Sequence, residues 1–75
     1  MSLKTYDRKG QVWMIAHSSG AETTFIVTGT QGRVKKKDLI IYRIVTSQDG
    51  RVWSSTIPDN LKSRWESSTM MKRIV

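Results

Sequence analysis

"DLIIYRIVTSQDGRVWSSTI", Asp38 to Ile57, decides the fold of this chain. Two runs rich in β-branched and aromatic residues flank Gln48-Asp49-Gly50-Arg51, and such runs between turn residues read as strands. Asp-Gly at the junction predicts a type I′ hairpin turn, because both central residues of that turn need positive φ. A two-residue turn sets Gln48 against Arg51 and so places Arg43 opposite Thr56 on the neighbouring strand.

Working outward, "TTFIVTGT" (Thr23 to Thr30) and "QVWMIA" (Gln11 to Ala16) supply two further strands, each bounded by glycine or polar residues. "TMMKRIV" at the end supplies a last strand. Pro58 cannot continue a central strand. "PDNLKSRW" has a capping Asp59 or Asn60 and then Leu61 and Trp65 four apart, which predicts one short helical turn. Strands without a long helix make the chain all-β. The expected architecture is a small SH3-like antiparallel barrel of about five strands, with one short helical turn before the last strand. An OB-like barrel is the alternative, but it needs more residues and a longer helix.

A chain of 75 residues makes one domain, here taken as residues 1–75 with residues 1–9 as a flexible N-terminal segment. Without cysteine it has neither a disulfide nor a thiolate zinc site, so packing or a second subunit must hold it. "VWMI" and "LIIYRIV" are apolar at successive positions, where a strand with one wet face should alternate. Either the termini cover the second face or another copy of the chain does, as a homodimer. No run approaches the ~18 apolar residues of a membrane span, and the N-terminus has no apolar signal core. A cytoplasmic protein with no membrane partner is therefore expected.

Thirteen Lys and Arg against six Asp and Glu give a formal charge of +7, which points to a polyanionic partner. Nucleic acid, DNA or RNA, ranks before an acidic protein. Enzymatic patterns are nearly absent. His17 is followed by Ser18 and Ser19, but side chains adjacent on a turn do not converge on one site, and no carboxylate supplies an orienting third group. Asp7, Glu22, Asp38, Asp49, Asp59 and Glu66 are scattered, so neither an acid–base pair nor a metal site is visible, and no cofactor is implied. "TGTQGR" fails as a phosphate loop because the second glycine of that motif would have to replace Val34.

Phosphate binding needs cations along a path, and single strands add flat side chains for stacking. Arg33, Lys35, Lys36 and Lys37 form the principal candidate contact, on the hairpin loop "GTQGRVKKKD". Arg51, Lys62, Arg64, Lys72 and Arg73 are secondary candidates, and Trp13, Trp65 and Tyr42 are candidate stacking platforms. Each has an ordinary alternative: a lysine run solubilises a hairpin tip, and tryptophans in a minimal domain, Trp53 included, belong to the core. The function expected is a small nucleic-acid-binding protein. The alternative is an interaction module, of phage or mobile-element type, that binds an acidic partner or itself.

"VTGTQGRVKKKD" resembles the turn of KOW-type SH3-like domains. There one strand ends in glycine, and a second glycine precedes the basic residue and valine that open the next. Gly29, Gly32, Arg33 and Val34 are the matching positions. "YDRKG", "DLIIYRIV" and "DGRVW" are similar to short bacterial and phage domains with Y-x-x-K-G, L-V-V-Y-R and G-x-W elements. Those carry arginine-proline after the tryptophan, where this chain has Ser54 to Ile57 before Pro58. Both resemblances imply an SH3-like fold and no particular activity.

Overall fold

The computed structural model describes residues 7–75. Five antiparallel strands follow one another: β1 (Val12–Ala16), β2 (Glu22–Val34), β3 (Leu39–Gln48), β4 (Arg51–Asn60) and β5 (Met71–Arg73). Single 3-10 turns occupy Lys35–Lys37, the lysine turn, and Trp65–Ser67, the tryptophan turn. The all-β expectation is met. The central hairpin forms as its sequence dictates: Asp49 (φ 52) and Gly50 (φ 78) both lie in the left-handed region that a type I′ turn requires. Gln48 opposes Arg51, and Arg43 opposes Thr56.

The barrel is not formed. The strands make one open sheet in the order β4-β3-β2-β1-β5, with β4 and β5 as its two edges. β5 is three residues long and pairs with β1, while positions 51–56 of β4 are all exposed, so the edges do not join. The core face is instead closed by the tryptophan turn. Trp65 stands edge-on to Trp13 and Phe25, with centroids 5.4 Å apart in each case, and tilted against Tyr42 at 5.3 Å. Edge-to-face pairs of this kind add about 0.5–1.5 kcal/mol each beyond the area they bury. Val27, Ile40 and Ile44 complete the buried cluster, and Ile15, Ile57, Leu61 and Met71 pack around it.

Two boundaries differ from those read in the sequence. β2 does not stop at Thr30; it runs to Val34, and its register against β3 shifts between Val27 and Gly29 and again between Thr30 and Gly32. Each shift is a bulge that absorbs one extra residue. Gly29 and Gly32 therefore lie within a strand, Arg33 and Val34 end that same strand, and the KOW-type correspondence of a glycine turn does not hold. The helical turn also falls later than expected, because Pro58–Asn60 extend β4. β4 is an edge strand, and there a proline can turn its missing N–H side to solvent.

The opposite face of the sheet is apolar but thinly covered. Val12, Met14, Ile41 and Val45 are half-buried, and Ile26 is exposed. Of the expected flexible segment 1–9, residues 1–6 lie outside the described residues; Arg8 is buried, at 3 % exposure.

Candidate functional site

A buried ion cluster locks the tryptophan turn to the sheet. Asp59 lies on the core-facing side of β4, opposite Ile40, and is fully buried. Its Oδ2 accepts from Arg8 Nε at 2.8 Å and from Arg64 Nε at 2.8 Å, and its Oδ1 accepts the Trp65 amide at 3.3 Å. Arg8 also donates Nη1 and Nη2 to the two oxygens of Glu66, at 2.9 and 2.6 Å. The Arg8 guanidinium lies 4.5 Å from the Trp65 ring centroid and 5.2 Å from that of Trp13, within cation–π range of both. Gln11 Oε1 accepts from Arg8 and from the Trp13 indole, and the Trp65 indole donates to the Pro58 carbonyl at 3.0 Å.

The electrostatics follow from these contacts. Burial disfavours the Arg8 charge, but the hydrogen bonds and charges of Glu66 and Asp59 outweigh it and raise the Arg8 pKa. The Arg8 hydrogen bonds lower the Glu66 pKa to about 2 against a partial desolvation effect. Burial raises the Tyr42 pKa, helped by Asp59 and opposed by Arg64 and Arg8. The Tyr42 hydroxyl is buried beside this cluster, where the Arg8 guanidinium lies near enough to oppose the rise in its pKa but not at the length and angle of an ordinary hydrogen bond. The cluster consumes two cations and two anions, so the rest of the molecule still carries the formal +7.

The nine candidate cations do not share one surface. The lysine turn sits at the end of the sheet where β2 meets β3, and Asp38 ends it in a left-handed conformation (φ 52). The segment after β4 folds back against this turn: the Leu61 amide donates to the Asp38 carbonyl at 2.7 Å, and the Lys62 ammonium lies 3.5 Å from the Asp38 carboxylate. Arg33 opposes Ile40, one strand from Asp59, on the core-facing side of the same end. Arg33, Lys35, Lys36, Lys37 and Lys62 thus gather at one end. Arg64 is at that end as well, but its guanidinium turns inward onto Asp59. Arg51 is at the opposite end, beside the Asp49-Gly50 turn. Lys72 and Arg73 lie on β5, opposite Met14 and Trp13. Met14 is level with Thr24 on β2, ten residues from Val34, or roughly 30 Å along a strand.

The aromatic candidates are core residues. Trp13 is 2 % exposed, Trp65 4 % and Tyr42 0 %, so none presents a face on which a base could stack. Trp53 is the exposed tryptophan, at 41 %. It shares the core-facing side with Thr46 but stands beyond the reach of the Trp65 cluster. The His17 ring pairs with the Thr23 hydroxyl at 2.7 Å and not with Ser18 or Ser19. Among the described residues, no group of three or more His, Cys, Asp or Glu side chains could hold a metal, and no helix is long and apolar enough to cross a membrane.

Sequence reasoning missed Arg8, Asp59 and Glu66 as a unit, since 51 and 58 residues separate Arg8 from its partners. Comparison with known protein families, with characterised proteins and with solved structures gives no match to any of them.

Proposed function

We infer that the chain is a small nucleic-acid-binding domain that contacts phosphates through its basic end. What supports this reading above all is the docking of Lys62 beside the lysine turn, through the Leu61 amide and the Asp38 carbonyl. Cations from two separate segments converge there, with Asp38 as their neighbouring counter-charge, and all three lysines of the turn are exposed. A hairpin tip needs charge to stay in solution, but it does not need reinforcement from a second segment. The backbone of a nucleic acid is the polyanion that such a compact set of ammonium groups can bridge, each group displacing a condensed counterion.

The reading predicts binding with little dependence on sequence, because phosphate contacts fix position on the nucleic acid without reading base edges. With four of the five cations on duplex phosphates, affinity should fall with a log–log salt slope of about −4. Fluorescence anisotropy of labelled duplex and single strands across a salt series measures this. The Lys35→Ala/Lys36→Ala/Lys37→Ala variant should lose most of the affinity and most of the slope. A flat salt dependence, or a triple variant that binds as the parent does, overturns the proposal.

A further inference from the structure

The two edges of the open sheet are not alike. β5 is three residues long and carries Lys72 and Arg73, which are the ordinary defences of an edge against pairing with another strand. β4 is ten residues long and pairs with β3 without a bulge. Between Arg51 and Pro58 it reads Val-Trp-Ser-Ser-Thr-Ile, with no charge and no proline. Positions 51–56 are all exposed, among them Val52 at 68 % and Trp53 at 41 %.

Pro58 reveals which backbone groups this edge presents. It has no N–H to exchange, so its pair with Ile41 is a non-hydrogen-bonded one. Pairs alternate along an antiparallel ladder, so Val52, Ser54 and Thr56 also turn their N–H and C=O groups away from β3. The Thr56 carbonyl meets the neighbouring Ser55 hydroxyl at a long 3.5 Å.

We propose that β4 pairs antiparallel with β4 of a second copy, about a two-fold axis at Ser54, to make one continuous sheet. In this register Ser54 faces Ser54, Val52 faces Thr56, and every outward N–H and C=O of the three residues finds a partner. Residues of equal parity meet, so the core-facing side of one copy continues into that of the other, and Trp53 lies opposite the small Ser55. Other registers leave one of these residues unpaired or set Pro58 or Gly50 in a hydrogen-bonding position. The self-complementarity of a neutral segment selects a second copy over an unrelated strand. Charge does not oppose the contact. The lysine turn lies at the Asn60 end of β4, about 20 Å along the strand from Ser54 and beyond the screening length of roughly 8–10 Å. The two basic ends therefore point in opposite directions. This inference is independent of nucleic-acid binding.

Sedimentation or light scattering from micromolar to millimolar protein, with and without the Ser54→Pro substitution, tests it. The N–H at 54 faces away from β3, so proline there spares the ladder of the single chain as Pro58 does. The parent should dimerise, and S54P should be a folded monomer by circular dichroism. The chain has no cysteine, so single-cysteine variants read the register even if S54P fails to fold. Ser54→Cys should cross-link on oxidation, because paired Cα atoms about 5.5 Å apart suit a disulfide, and Ser55→Cys should not. A parent that stays monomeric, a dimer that survives in S54P, or cross-linking through position 55 in preference to 54 would each overturn the proposal.

Discussion

Replacing Asp59 by asparagine keeps the shape of the side chain and removes the charge that Arg8 and Arg64 share. The Arg8 side chain is 4 % exposed and that of Arg64 22 %, so neither guanidinium can recover full hydration in place of the lost carboxylate. Arg8 retains Glu66, whose side chain is 59 % exposed and therefore well screened. Asparagine can still accept the Trp65 amide, which limits the damage to the electrostatics. Breaking a buried pair on one side costs about 3–5 kcal/mol. That compares with roughly 4–11 kcal/mol of total stability for a domain of this length. At about 4–8 °C per kcal/mol, Asp59→Asn should lower Tm by at least about 12 °C. Thermal unfolding followed by tryptophan fluorescence is the assay, since Trp13 and Trp65 both border the cluster. Arg8→Met should then cost less in the Asp59→Asn background than in the parent, with a coupling of about 0.5–3 kcal/mol. A Tm loss under about 4 °C for Asp59→Asn, or additive effects in the cycle, would refute the idea that this ion cluster holds the tryptophan turn.

Two further outcomes follow from the same region. The Glu66 pKa is depressed to about 2 in the folded chain, so its contribution is complete above the ordinary carboxylate pKa and disappears as pH falls from about 4.5 toward 2. Its exposure limits that contribution to about 1 kcal/mol or less, and Glu66→Gln should flatten the acid side of a urea-denaturation pH profile by that amount. Tyr42→Phe removes a buried hydroxyl that lacks a hydrogen-bond partner, so it should be neutral or stabilising by up to about 1 kcal/mol. A clear loss of stability in the same denaturation assay would mean that the hydroxyl is partnered.

The central hairpin was legible because its determinants are local: Asp49-Gly50 dictates the turn, and the turn dictates the register from Gln48–Arg51 onward. The extension of β2 was not, because Gly29 and Gly32 read as turn punctuation. In the structure neither has positive φ, and a Cβ at either would meet nothing within 4 Å. Closure failed as an expectation for a related reason. Strand count and order are written in the sequence, but whether two edges meet depends on β5 being short and on Trp65 filling the space a closed barrel would use. The basic site was half legible. Composition marked Lys35 to Lys37, but the convergence of Lys62 depends on a chain reversal after Asn60, later than the position of Pro58 signals. Arg64 reads in the sequence as one more exposed cation, and only the buried Asp59 turns its guanidinium inward.

The two bulges in β2 have an arithmetical consequence. Up to Val27 the odd-numbered residues face the core; between the bulges it is the even-numbered Thr30, opposite Tyr42; beyond the second it is again the odd-numbered Arg33, opposite Ile40. Deleting an extra residue, Thr28 or Gln31, would remove its bulge and the inversion together, so Arg33 and Val34 would keep their faces opposite Ile40 and Leu39. Deleting a paired residue such as Ile26 while both bulges stay would exchange those faces, sending a cation over the apolar outer side and a valine toward Asp59. This strand can therefore lose length at its bulges and not between them.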